Sequence, residues 1–257
     1  SRYAIRYAKW DMNRNVSEPG WPEAMGAARE LWVRYVEGLY RVWETIRLKH
    51  PDVIWQSCSG GGGRTDLGML RVSDVIWVSD NSGGAYRLTI QEGYSLMFPA
   101  ATMQTWVTDQ QPKVPLHFRF HSAMCGMMGI GADIRKWDEA TRDEARRWIA
   151  LYKEIMPVVQ QGDLYRLRPA DESGFCALAY VSKDQREGVL FAFRTYVGQH
   201  EPSLTVRLRG LQPEWLYSVE GFEGVRSGKA WMNLDLQFGL YGGLDNLDST
   251  VRRIKQV

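Results

Sequence analysis

Two aspartates, 69 positions apart, each close an apolar run: Asp11 in Tyr7-Ala8-Lys9-Trp10-Asp11-Met12-Asn13-Arg14, and Asp80 in Val75-Ile76-Trp77-Val78-Ser79-Asp80-Asn81. Between them, Val53-Ile54-Trp55-Gln56 leads into Cys58-Ser59-Gly60-Gly61-Gly62-Gly63-Arg64. Two carboxyl groups on one rim are the minimum for glycoside chemistry. In a retaining enzyme one attacks the anomeric carbon and the other, about 5–5.5 Å away, protonates the leaving oxygen. They need opposite protonation states at one pH. Lys9 and Asp11 lie one residue apart and so share a face if the run is a strand. The cation favours an ionised Asp11, as a nucleophile requires. Asp80 follows the apolar Ile76-Trp77-Val78, and the expectation is a partly buried carboxyl that keeps its proton and acts as the acid.

Other readings of these residues stay open at this level. Asp11 could cap a helix or sit in a loop, and Asp80-Asn81 could form a turn. The glycine run could let a backbone approach a sugar. It lacks the Gly-Lys-Ser/Thr ending of a phosphate loop. Cys58 has no histidine placed as its base, so it reads as a small buried thiol rather than a nucleophile.

The elements that must hold these residues alternate strand and helix. Residues 3–10 read as a strand, followed by a polar loop to Trp21 and a helix over 22–49, with Pro22 in its first turn and Pro51 beyond its end. Leu31, Trp32, Tyr35, Val36, Leu39, Trp43 and Ile46 form one apolar face of that helix. Strands are expected at 53–56, 75–78, 102–107 and 117–121. Helices are expected at 85–96 and 138–156, the last capped by Asp138, and 66–71 reads as a brief helical or irregular turn. This order argues a parallel α/β sheet, in which function collects at the carboxyl ends of the strands. From 163 onward, short alternating segments (176–181, 188–194, 203–208, 216–220, 250–255) are separated by turn signals such as Lys183-Asp184, Gly210, Pro213, Gly221 and Gly242-Gly243. They read as an antiparallel β-sandwich. The expected division is therefore 1–162 and 163–257. The first part is short of the roughly 200 residues a closed (β/α)8 barrel needs, so an incomplete barrel is expected.

Composition narrows the function classes. A net charge of +2 in 257 residues, with mixed signs along the chain, gives no pull toward nucleic acid or an acidic membrane. No apolar run approaches membrane-spanning length and no signal peptide opens the sequence. Cys58, Cys125 and Cys176 are too few, and odd in number, for a disulfide framework. The expectation is a reducing, cytoplasmic setting. His117 and His121 would suit a metal on a helix, but the alternation of His117-Phe118-Arg119-Phe120-His121 reads as a strand and argues against a zinc site.

The three motifs, in this order and spacing, resemble glycoside hydrolase family 36, the α-galactosidase family, whose relatives include raffinose synthases. Gln91-Glu92-Gly93-Tyr94-Ser95-Leu96-Met97-Phe98-Pro99 and His121-Ser122-Ala123-Met124-Cys125-Gly126 resemble later barrel segments of the family. The tail from Gly188 resembles its C-terminal sandwich. The resemblance implies the second half of a TIM barrel, about strands 4 to 8, followed by a small antiparallel sandwich. It also implies a fragment without the family's N-terminal region. It implies Asp11 as nucleophile and Asp80 as acid/base, with Lys9 and Asn13 contacting galactose or orienting Asp11. Cys58 and Gly60 would line the sugar pocket, Trp10 and Met12 would support the motif, and Arg64 would brace it from behind. The implied activity is retaining hydrolysis of terminal α-galactosides such as raffinose and melibiose, without metal or organic cofactor, by a homo-oligomeric parent enzyme. Transfer of galactose to another sugar, or a non-catalytic carbohydrate-binding remnant, are the alternatives. The sequence departs from the family at Ser82-Gly83-Gly84, where Thr-Asp is usual and two glycines predict a looser loop. It departs again at Trp106, where histidine is common. The acidic residues of the early strands have no counterpart.

Overall fold

The computed structural model describes residues 3–13, 20–196, 204–238 and 246–257. Arg14, His200, Ser203 and the Gly242-Gly243 turn signal lie outside the described residues. The chain forms two compact units: Ser1–Asp80 with Thr102–Gln104, and Asn81–Ala101 with Thr105–Val257.

The first unit holds β1 (Tyr7–Trp10), α1 (Leu31–Lys49), β2 (Ile54–Ser57), α2 (Leu67–Val72) and β3 (Val75–Trp77). It also holds the opening residues of β4 (Met103–Val107). The strands are parallel and staggered: Tyr7–Trp10 pair with Ile54–Ser57, Gln56 and Ser57 with Val75 and Ile76, and Ile76 and Trp77 with Met103 and Gln104. The functional runs therefore end on the same side of the sheet. Residues 22–30 are a 3-10 helix, and α1 begins only at Leu31. The apolar spacing starts at Leu31, so the preceding turns have no face to hold against the sheet. Trp43 is fully buried, stacked on Trp10 at 5.1 Å and met edge-on by Trp55 at 5.8 Å. Much of the rest of the predicted face, Trp32, Tyr35 and Val36, is exposed. Asp66 starts α2 by accepting from the Met69 N–H at 2.7 Å, and takes the Tyr40 hydroxyl at 2.8 Å.

The second unit holds α3 (Tyr86–Ser95), the end of β4, α4 (Leu116–Met124), β5 (Met127–Ile130) and α5 (Glu139–Gln161). These are followed by β6 (Asp163–Arg168), β7 (Phe175–Val181), β8 (Glu187–Arg194), β9 (Thr205–Val206), β10 (Leu216–Val219), β11 (Val225–Ser227), α6 (Gly228–Asn233), β12 (Leu236–Gln237) and β13 (Asp248–Gln256). The parallel sheet has the order β1-β2-β3-β4-β5, the second half of a barrel. The antiparallel sheet has the order β11-β10-β13-β8-β7-β6, and β12 pairs with β9. One face of β7 and β8 packs with Val206, Leu208, Trp231 and Leu236 as the sandwich core. The other face joins Phe118, Phe120, Tyr152 and Val158 of α4 and α5. Asp138 caps α5 by accepting from the Thr141 N–H at 2.8 Å, as its position predicts.

The strand expected at 117–121 is the helix α4. Phe118, Phe120, His121, Ser122, Ala123 and Met124 are all buried, so the helix has almost no polar face and its short alternation carries no strand meaning. β5, β6, β11 and β12 were not expected. Met127-Met128-Gly129-Ile130 has neither alternation nor a run of β-branched residues. His117 and His121 do share a helix face, with rings 5.7 Å apart, but they bond Asp248 and Ser249, each at 2.8 Å. Among the described residues no three His, Cys, Asp or Glu side chains group as a metal site. No described helix is long and apolar enough to cross a membrane.

Candidate active site

Asp11 follows β1 directly and is exposed. Burial, the largest influence on its carboxyl, would raise its proton affinity. It is outweighed by the Cys58 thiol, the Lys9 ammonium and the backbone N–H groups of Met12 and Gly60, which together hold the carboxyl below the usual carboxylate range. Asn13 adds a further donor. Its amide nitrogen, assigned toward the acid because two acceptors would otherwise face each other, lies 2.9 and 3.2 Å from the two carboxylate oxygens. Cys58 is pushed upward, chiefly by burial, so it stays a thiol and donates to Asp11.

The neighbours of Asp11 in its motif hold the backbone. The Trp10 carbonyl accepts from the Cys58 N–H at 3.1 Å and from Arg64 Nη2 at 2.6 Å. Arg64 Nε donates to Ser57 Oγ at 3.1 Å, so this guanidinium clamps the ends of β1 and β2 together. Met12 donates its N–H to the Cys58 carbonyl at 3.1 Å, its carbonyl accepts from Ser59 Oγ at 3.0 Å, and its sulfur accepts from the Tyr35 hydroxyl at 3.1 Å. Trp10 and Met12 thus brace the site.

Asp80 closes the run after β3. It is exposed, contrary to the expected burial, because it lies beyond the end of the buried Val75–Trp77 strand. Its Oδ1 accepts from the Trp77 indole N–H at 2.8 Å. The ring of Trp77, itself only 4% exposed, carries the Lys9 ammonium 5.0 Å from its centroid.

The glycine loop joins the two acids. Gly60 gives its N–H to Asp11 and has a φ of +52°. A Cβ at Gly60 would meet nothing within 4 Å, so the loop is open there. At Gly61, with a φ of +90°, a Cβ would fall 2.9 Å from Ser79 Cα and 3.1 Å from Asp80 N. At Gly62 it would fall 2.9 Å from the Val78 carbonyl. The missing side chains let the loop lie on the backbone that carries Asp80. Adjacent Cα atoms are about 3.8 Å apart, so the anchor of one acid and the support of the other lie within one residue of each other. Trp77, Ser59 and Gly61 were missed as individual site residues. The glycine run was the available signal for Gly61, and the Trp-x-x-Asp spacing for Trp77.

In the second unit, the Ser82-Gly83-Gly84 loop is packed, not loose. All three residues are buried. Ser82 N–H donates to Gln110 Oε1 at 2.8 Å, Ser122 Oγ donates to the Gly84 carbonyl at 2.9 Å, and the Gln111 amide fills the space a Gly83 side chain would take. Trp106 lies against Gly131.

Comparison with known proteins places this geometry. A family model described as Melibiase matches residues 1–162, and one described as the glycosyl hydrolase family 36 C-terminal domain matches 175–253. The chain is 35% identical over 249 residues to a probable α-galactosidase C of Aspergillus flavus, covering 95% of the chain and 32% of that protein. It is 38% identical over 237 residues to α-galactosidase AgaA of Geobacillus stearothermophilus, covering 89% of the chain and 32% of the relative. A crystal structure of AgaA in complex with raffinose superposes with a TM-score of 0.92 at 35% identity, covering 98% of this chain and 36% of that one. The chain thus spans about a third of the length of these relatives. With one family model across the whole parallel sheet and its helices and a second across most of the antiparallel sheet that follows, the chain belongs to glycoside hydrolase family 36.

Proposed function

We propose that this chain carries the two catalytic carboxyls of a retaining α-galactosidase acting on terminal α-galactosides such as raffinose and melibiose. The observation that carries the reading is one loop, Ser59–Gly62, that donates to Asp11 through Gly60 and supports the backbone of Asp80 through Gly61. Asp11, kept ionised by its donors and Lys9, attacks the anomeric carbon and forms a galactosyl ester. Asp80 gives its proton to the departing oxygen, then takes one from the water that cleaves the ester. Asn13 and Lys9 orient the nucleophile. The open side of Gly60 faces the sugar, while Cys58, 1% exposed, acts from behind through its hydrogen bond to Asp11.

A closed (β/α)8 barrel has eight strands, and this sheet has five. We read the exposed Tyr3, Ile5, Tyr7, Trp32, Tyr35 and Val36 as the surface on which further β/α units complete the barrel. The barrel-to-sandwich boundary is placed at 162/163, supported by where the two family matches end and begin. The cytoplasmic setting is supported by three cysteines that are free and buried. A homo-oligomeric complete enzyme follows from the resemblance and is testable by light scattering.

The test is hydrolysis of p-nitrophenyl α-galactoside by the 257-residue chain alone and with a polypeptide supplying the further β/α units. Turnover is expected from the assembly, little from the chain alone, and none after Asp11→Ala. An assembly that folds yet neither hydrolyses α-galactosides nor binds 1-deoxygalactonojirimycin contradicts the proposal.

A further inference from the structure

We propose that Trp77 is a positioning residue that fixes which oxygen of Asp80 exchanges the catalytic proton and ties that carboxyl to the cation beside Asp11. The inference rests on the reading of Asp80 as acid/base. Trp77 ends β3, and the short turn Val78-Ser79 brings Asp80 back onto its indole edge, with Nε1 2.8 Å from Oδ1. An indole N–H can only donate. Oδ1 must therefore offer a lone pair to Trp77 in both protonation states. In a neutral carboxylic acid the carbonyl oxygen is the better acceptor, so the proton sits on Oδ2. Protonation of the leaving oxygen and deprotonation of water then both run through Oδ2, with no rotation of the carboxyl between the two half-reactions. The O–H bond of Asp80 breaks as the glycosidic oxygen gains the proton, and it re-forms at the same atom as water gives one up.

The ring face completes the arrangement. Lys9 lies 5.0 Å from the Trp77 centroid, where the electron-rich ring face attracts a cation. Lys9 also lowers the Asp11 carboxyl. One indole thus stands between the cation of the nucleophile and the oxygen of the acid, and its burial at 4% exposure keeps the ring from turning.

Two measurements test this. In the ¹⁵N-labelled 257-residue chain, the Trp77 indole N–H resonance, assigned by its loss in Trp77→Phe, is followed against pH in wild type and in Asp80→Asn. It is expected to move in one step in wild type and to stay flat in Asp80→Asn, whose amide oxygen still accepts. An indole signal indifferent to both changes, or one exchanging with solvent as fast as an exposed indole, overturns the proposal whether or not the protein turns over. Kinetics in the active assembly then separate positioning from packing. With Trp77→Phe, kcat/KM for raffinose should fall about 10- to 100-fold, a fraction of what a general acid contributes, while p-nitrophenyl α-galactoside changes less than about threefold. An equal loss on both substrates overturns the positioning role. If Trp77→Phe does not fold, β-(3-benzothienyl)alanine at position 77 keeps the bicyclic shape without the N–H and should show the same split.

Discussion

Gly60 and Gly61 are neighbours with positive φ, yet alanine should fail at them for different reasons. A left-handed alanine costs roughly 1–2 kcal/mol, partly offset by the roughly 0.4–1 kcal/mol gained from a stiffer unfolded chain. At Gly60 nothing lies within 4 Å of the added Cβ, so Gly60→Ala should cost about 0–1.6 kcal/mol in stability. At Gly61 the Cβ also meets Ser79 Cα at 2.9 Å and Asp80 N at 3.1 Å. Both are backbone atoms, so the loop or the end of β3 must shift, adding about 1–3 kcal/mol. Gly61→Ala should therefore cost about 1–3 kcal/mol more than Gly60→Ala and melt roughly 2–12 °C below it. The transition can be followed by the fluorescence of the Trp10–Trp43–Trp55 cluster, which lies in the same unit. Ligand binding should rank the variants the other way. The Gly60 Cβ projects into the open side that the proposal gives to the sugar, so Gly60→Ala should weaken 1-deoxygalactonojirimycin binding at least about tenfold, the equivalent of 1.4 kcal/mol, in a protein of near-normal stability. Equal stability of the two variants would refute the packing argument. A well-folded Gly60→Ala variant with unchanged binding would refute the placement of the sugar.

Removing Lys9 as Lys9→Met, or the thiol as Cys58→Ala, takes away stabilisation of the ionised Asp11. Its carboxyl should then titrate at higher pH, and the acidic limb of the pH–rate profile should move up. In wild type the ionised carboxyl stabilises the fold above the ordinary carboxylate range, and that contribution is lost as pH falls through its lowered value. In the assembled enzyme Asp11→Ala should abolish turnover, with azide restoring it and inverting the product. Asp80→Ala should spare substrates with good leaving groups, and NMR analysis of the product anomer distinguishes both from the swapped roles. His121, bonded to Ser249, is depressed to about 3, chiefly by burial and then by His117, with Asp248 and Ser249 acting the other way. An unfolded histidine titrates near 6.5, so between about pH 6.5 and 3 the unfolded chain binds a proton the fold does not. Stability should drop by about 1.4 kcal/mol per pH unit from this group. Urea unfolding at stepped pH should show a slope shallower in His121→Gln than in wild type by that amount.

The parallel order of the sheet was legible because each strand before a crossover is a short apolar run ending in polar residues or glycine, as at Val75–Asp80. The α4 segment was not legible as a helix. Its pattern is set by burial on nearly every side, and a residue such as His121 is held by Ser249, 128 positions later. The weak strands β11 and β12 gain their pairing from partners, not from local alternation.

The site divides along the same physical line. Lys9 beside Asp11 could be inferred because a strand fixes the direction of alternate side chains. Asp80 lies beyond the strand, where the turn decides direction. The apolar residues before it suggested burial, but the turn sends the carboxyl to the surface and onto the indole edge of Trp77. The glycine run sits between these cases. Its composition announced a close backbone approach, and the fold then presses Gly61 on Ser79 and Asp80 while Gly60 faces open space. A sequence can thus specify that side chains must be absent without specifying for whom. Gly61 is needed for the protein's own backbone, and Gly60 leaves room that nothing within the chain occupies. Under the proposed function that room belongs to the galactose, so a substitution that is harmless to the fold at Gly60 should be the one most costly to binding.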